Sequence, residues 1–203
     1  MTISNSATLA NAKLDQEETT IGTSPLLRLY NGTMPATADT ALAGNTLLGV
    51  GTLPSDWMGN AAAKVKAKAG TWTVTGQAAA GAGTASTFFR IYDNAGTNCH
   101  KQGTFGATVA IATNALTAAN GNVLNFAATT GVAVGQGVSG TGIPVNATVI
   151  AFTGTTVTMS VSSTAGVANA ASITFGADCT VDNNSIAVGQ TLTVNTFAIT
   201  AGN

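Results

Sequence analysis

The sequence predicts an all-β protein: an antiparallel β-sandwich or barrel host domain, a small β domain inserted into it, and a short N-terminal helix or arm. Three observations carry this. Runs such as Thr71-Trp72-Thr73-Val74-Thr75, Thr155-Thr156-Val157-Thr158-Met159 and Thr191-Leu192-Thr193-Val194 place β-branched and apolar residues at period two. Gly, Asn and Ser clusters separate such runs every 8 to 15 residues, the spacing of a sandwich or barrel. Finally, residues 102 to 177 contain no Asp, Glu, Lys or Arg in 76 positions, a composition shift that marks a separate module.

Residues 1–24 come first. Within them 6 to 18, with Leu9 and Leu14 among Ala and charged groups, predict a short helix ahead of Gly22 and Pro25. A helix of that length draws its stability from docking. Because Lys13, Asp15, Glu17 and Glu18 outweigh its apolar residues, the segment is expected to be an attachment or oligomer-contact arm outside the β core.

Residues 25–106 plus 177–203 form the expected host, and 107–176 the inserted domain. A repeated tetrapeptide flanks the insertion: Thr104-Phe105-Gly106-Ala107 on the way in and Thr174-Phe175-Gly176-Ala177 on the way out. Insertion is tolerated where the host chain leaves and returns at neighbouring surface points.

Chemical poverty limits the function. Ala, Thr and Gly fill 96 of 203 positions, while only 15 residues are charged and there is one His. A formal charge of -1 lacks the electrostatic footprint of a nucleic-acid binder. The start Met1-Thr2-Ile3-Ser4-Asn5 has neither a basic nor a continuous apolar region of a signal peptide, so synthesis in the cytoplasm is expected. No apolar run is long enough for a spanning helix, and no membrane role is expected.

The candidate site residues are few. Lys64, Lys66 and Lys68 alternate with Val65, Ala67 and Ala69, which puts three of the seven cations on one strand face. That face is either solvated, as Lys on sheets usually is, or a surface for an acidic partner. Leu27-Arg28-Leu29-Tyr30 is echoed by Phe89-Arg90-Ile91-Tyr92. Alternation sends the apolar members to the core and leaves Arg28, Tyr30, Arg90 and Tyr92 on the outward side. They read either as cross-strand packing or as a contact patch.

His100 has no recognisable orienting acid or oxyanion loop, so no catalytic residue is assigned and no enzyme is expected. Cys99 and Cys179 would form a disulfide only if the strands flanking the insertion bring them together. Asp15, Glu17 and Glu18 make no metal cluster, the Gly-rich stretches lack a phosphate-loop ending, and no cofactor is expected.

The stretch from Leu27-Arg28-Leu29-Tyr30-Asn31-Gly32-Thr33 to Thr46-Leu47-Leu48, together with Asn184 to Thr200, resembles a family of small structural proteins of tailed bacteriophages. Val138-Ser139-Gly140-Thr141-Gly142-Ile143-Pro144 and Gly154-Thr155-Thr156-Val157-Thr158 in the insertion are similar to a β motif of phage structural proteins. The resemblance implies a non-enzymatic virion protein, a capsid decoration or cement protein on the outer head surface. Its implied partners are the major capsid protein and copies of itself, a trimer among them. Tail, neck or baseplate location is the alternative, and a virion-surface carbohydrate-binding module a second one.

Overall fold

The computed structural model describes residues 4–181 and 183–201. It is mostly strand, with a single helix of more than one turn, α1, at Ala7–Ile21. The chain divides into two compact units, one made of Met1–Gly106 and Cys179–Asn203, the other of Ala107–Asp178. The second starts where the expected insertion starts and ends two residues beyond it.

The first unit is a closed barrel. Its strands in chain order are β1 (Leu26–Tyr30), β2 (Leu47–Thr52), β3 (Val65–Ala67), β4 (Thr73–Gly76), β5 (Thr84–Ala85), β6 (Phe88–Tyr92) and β7 (Cys99–Gly106). After the insertion come β14 (Cys179–Val181), β15 (Ser185–Ile186) and β16 (Thr191–Thr200). The order is β14-β7-β6-β1-β2-β4-β16, and β14 pairs again with β16 to close seven strands into a ring. β3 continues the line of β4 along β16, and β5 pairs with β15 as a separate ribbon.

Closure rests on the return strand. Cys179 pairs with Phe105 in parallel and with Phe197 antiparallel, so three residues of β14 join the two open edges. An unpaired edge is a template for aggregation, and a ring has none. Leu27, Leu29, Leu48, Phe89, Ile91, Phe105, Val181, Leu192 and Val194 point inward from successive strands. Trp72 stacks between Trp57 and Phe197 at ring separations of 5.8 and 5.1 Å, and Phe89 meets Phe197 edge-on at 5.5 Å. The strands crowd tightly where β2 meets β4. A Cβ on Gly51 would lie 2.0 Å from the Thr73 carbonyl oxygen, so only glycine fits.

The N-terminal segment is not a free arm. α1 starts on Ser6, whose Oγ accepts from the Leu9 amide, and stops at Gly22 with φ of 89°. It runs three residues past the expected end and belongs to the barrel unit, with Ala10, Leu14 and Ile21 buried. What the sequence hides is that its polar side chains, rather than an apolar stripe, find partners on the barrel.

The second unit holds β8 (Val109–Ala112), β9 (Val123–Asn125), β10 (Gly137–Ser139), β11 (Val149–Phe152), β12 (Thr156–Met159) and β13 (Ser172–Gly176). They form two three-stranded antiparallel sheets, β10-β13-β8 and β11-β12-β9. Leu124, Phe126, Val138, Val149, Val157, Met159, Ile173 and Phe175 fill a core of its own, with Phe126 edge-on to Phe175. The repeated tetrapeptide thus ends two strands of different cores: Phe105 lies in the barrel and Phe175 in the second unit.

Separate cores make the insertion removable. β14 runs parallel to β7, so the chain must reverse twice to pass from Gly106 to Cys179, and a direct junction is too short. Replacing 107–178 with a Gly/Ser linker of about ten residues adds little closure entropy. The shortened protein is expected to stay soluble and to melt cooperatively. A molten product would show that the barrel depends on the second unit.

Candidate partner-contact surface

Of the three alternating lysines only Lys66 lies in β3, with Lys64 and Lys68 just outside its two ends, and Lys66 faces inward rather than outward. Val65 and Ala67 are exposed, and Lys66 is only 2% exposed. Its ammonium donates to Asp15 Oδ1 at 2.7 Å and pairs with Glu18 Oε2 at 2.9 Å, both on α1. Burial alone would lower the Lys66 pKa, but the hydrogen bonds to the two carboxylates outweigh it and hold the group above its usual range. Asp15 is held below its usual range, first by the bond from Lys66 and then by the Ala61 amide.

The same helix face satisfies backbone groups. Asn11 Oδ1 accepts from the Lys64 amide at 2.9 Å, Asp15 Oδ1 from Ala61 at 3.0 Å, and Glu18 Oε1 from Met58 at 3.1 Å. Residues 11, 15 and 18 share one face because they are four and three apart. They read every third amide of the segment 58–64. Trp57 Nε1 adds a bond to the Gly22 carbonyl at 3.1 Å. On the far side of the helix Glu17 pairs with Lys101 at 2.5 Å. Around this pair an open cleft of about 230 Å³ is lined by Lys13, Gln16, Glu17, Thr20, His100 and Lys101. Lys68 is half-buried, donates to the Gly70 carbonyl at 2.9 Å and lies 6.0 Å from the Trp72 ring.

Arg28, Tyr30, Arg90 and Tyr92 do share the outer face of the barrel. β1 and β6 pair with Arg28 opposite Arg90 and Leu26 opposite Tyr92. That face is not solvated. The chain from 31 to 46 folds over it, with Met34 and Leu42 packed on Tyr30, Phe88 and Tyr92. Arg90, 3% exposed, donates to the carbonyls of Thr37 (3.2 Å) and Thr40 (2.7 Å) and to Gln102 Oε1 (2.9 Å). Gln102 returns a bond to the Pro35 carbonyl, and Asn45 ties the strap to the carbonyls of Asn31 and Thr33. Arg28 remains partly accessible, stacked 4.4 Å from the Tyr92 ring. Burial, and then the contact with Tyr92, raises the Tyr30 pKa well above the ordinary phenol range.

Three of these four residues are therefore consumed by the fold. The signal in the sequence was Met34 and Leu42, the two large apolar residues in a loop otherwise made of small and polar ones.

The flanking strands of the insertion do pair, but in parallel, and this separates the cysteines. Cys179 lies opposite Phe105, six residues along β7 from Cys99. At ~3.3 Å per residue that is about 20 Å, beyond the span of a disulfide. Burial raises the Cys99 thiol pKa. Among the described residues no group of three or more His, Cys, Asp or Glu is placed to hold a metal. No described helix is long and apolar enough to cross a membrane.

The exposed large apolar residues are mostly aliphatic and mostly on the second unit. Leu116, Val123, Val134, Val145, Ile150, Phe152 and Val161 are seven of the ten exposed large apolar residues among those described. Val145 is 87% exposed and Leu116 68%. The missing charge of residues 102–177 is legible in the sequence, whereas the exposure of these apolar side chains is set by the fold. No family model matches the chain, and no curated protein and no solved structure is similar to it.

The Ala63-Lys64 turn shows how firmly the α1 seat is imposed. Ala62 and Val65 exchange both backbone hydrogen bonds, and the two residues between them have φ of 50° and 67°. A two-residue turn of this kind favours Asn-Gly, and left-handed geometry costs other residues roughly 1–2 kcal/mol each. Changing Ala63→Asn with Lys64→Gly is expected to stabilise the protein by about 1 kcal/mol in denaturant unfolding while keeping the Asn11 bond to the amide of residue 64. Destabilisation would show that the Lys64 side chain, not its backbone, is what the turn needs.

Proposed function

We propose that the protein is a non-enzymatic virion structural protein of a tailed bacteriophage, a capsid decoration or cement protein that binds the major capsid protein on the outer head surface. The single observation that carries this reading is the distribution of exposed apolar residues. Residues 107 to 177 carry no charge and present seven exposed large apolar side chains, while in the barrel unit Lys66 and Lys101 are taken up by pairs with α1. Large apolar side chains left in water are the material of protein–protein contacts, and this unit holds seven of the ten among the described residues.

A lattice-bound protein of this kind needs rigidity and a long-lived contact. The closed barrel supports the first by leaving no open barrel edge. Exposed aliphatic groups support the second, because burying apolar area contributes roughly 25 cal/mol per Å² and loses little to salt. Repetition on a lattice adds avidity when one oligomer touches several positions, and a trimer of this chain would supply it. Tail, neck or baseplate attachment uses the same surface and differs in copy number.

Attachment should therefore resist salt and fail on charge insertion. Raising ionic strength from about 0.1 to about 1 M shrinks the screening length from ~10 to ~3 Å. Particles sedimented at the higher salt are expected to retain most copies, in numbers comparable to the major capsid protein. Val145→Asp or Leu116→Asp, each at an exposed position, is expected to leave the free protein folded and to lower occupancy at least about tenfold, the equivalent of 1.4 kcal/mol. Release by salt with no effect of either substitution would overturn the apolar account. Copy numbers far below the capsid protein would move the protein to the tail.

A further inference from the structure

Acid chemistry in the first unit is concentrated on one element. Of eight carboxylates in the chain, three are on α1, and each is paired with a barrel cation: Asp15 and Glu18 with Lys66, Glu17 with Lys101. Beyond these pairs α1 is held by three buried apolar side chains, Ala10, Leu14 and Ile21, and by hydrogen bonds of which two of the four end on the same carboxylates, Asp15 and Glu18. The barrel core is hydrocarbon and aromatic apart from Trp and Met side chains and the Cys179 thiol, and it holds no carboxylate. Asp93, also held below its usual carboxylate range, accepts from the Thr97 and Asn98 amides in the β6–β7 turn at the barrel's rim, so among the described residues the acids that face a buried cation are those of α1.

We propose that α1 is an acid-released latch: protonation of Asp15 and Glu18 strands the buried Lys66 ammonium, and the helix leaves the barrel about Gly22–Ser24 while the barrel stays folded. A buried charge that loses its partners is strongly destabilising, and the chain relieves it by exposing Lys66 to water. Two backbone features suit the hinge. Gly22 has φ of 89°, and Ser24, a residue without glycine's freedom, is held at 50°. Opening also frees the amides of Met58, Ala61 and Lys64 and the Trp57 indole N–H to bind water.

The sign follows from both partners. Asp15 is held below its ordinary value of 3.8, so its contribution is present above that value and lost as pH falls below it. Lys66 is held above its ordinary value of 10.5, so its contribution is complete below that value and lost only at higher pH. The latch is closed between these limits. Other charged groups around the seat are Lys64 and Lys68 just outside the two ends of β3, Lys13 and Glu17 on α1, and His100 and Lys101 on β7. β16, which pairs with β3 at Ile199–Lys66, has no charged residue. At acid pH the neighbours left charged are all cations, which adds repulsion to the loss of the pairs.

The test is a pH titration of the full chain from about pH 7 to about pH 2.5, followed by amide and indole NMR resonances. In the wild type, the α1 amides and the Trp57 indole are expected to move together to exchange-averaged, unprotected positions, while the amides of Phe89, Phe105 and Leu192 keep their dispersion. Lys66→Met puts an apolar chain of similar length in the seat and is expected to lower the release midpoint by at least about one pH unit. Asp15→Asn with Glu18→Gln is expected to release the helix at about pH 7. The proposal is overturned if α1 stays protected at the lowest pH, if α1 and barrel resonances are lost at one midpoint, or if the double variant keeps the helix docked. Should Lys66→Met fail to fold, the wild-type titration and the double variant still decide.

Discussion

A lysine ammonium buried at 2% exposure is the constraint on which the first unit depends. Nothing in the barrel strands beside it carries a negative charge, because β16 and β4 are built of Thr, Val, Leu, Ala, Ile, Phe, Asn and Gly. The counter-charge has to come from another element, and α1 brings two carboxylates at a spacing of three residues. Those carboxylates have acceptor capacity left over, which Glu18 spends on Met58 and Asp15 on Ala61. The hairpin from 58 to 68 and its strained Ala63-Lys64 turn are then set by where the helix places its side chains. A helix that looked too polar to dock is docked by its polarity.

The barrel is closed by a strand that belongs to the far side of an insertion. Gly106 leaves and Cys179 returns at adjacent positions, one pair apart in the register of β7 and β14. Inserting a unit there costs the barrel little, because the path out and the path back already lie side by side. It also divides the labour of the chain. In the barrel unit Lys66 and Lys101 pair with α1 and Arg90 holds the strap, whereas the second unit, charged only at Asp178, carries most of the exposed large apolar side chains among the described residues.

Strand content and the module boundary were legible because they depend on local pattern and composition. Thr191 to Val194 lies in β16 and Thr156 to Met159 is β12, as period two requires. The common face of Arg28, Tyr30, Arg90 and Tyr92 was legible for the same reason. Which face is wet was not. Alternation fixes that Lys66 opposes Val65, but only the position of α1 decides that the lysine is inside and the valine outside. In the same way the strap from 31 to 46 buries Arg90 and both tyrosines, a tertiary event with no periodicity to announce it. The cysteines failed as a pair on topology, since a parallel return sets Cys179 beside Phe105 rather than Cys99. Three acids on a short helix and three lysines within residues 64–68 were the available clue that the two elements meet.

Native-state hydrogen exchange at three amides tests this account most directly. Met58, Ala61 and Lys64 have side-chain acceptors on α1 rather than strand partners. If the helix is held by the buried lysine and these bonds, the three amides open in one event with the helix interior. They should then share one opening free energy with the amides of Leu14 and Glu18, below that of the barrel strands. Exchange of the three at the rate of open loops, with α1 still protected, would contradict the claim that polar side chains seat the helix.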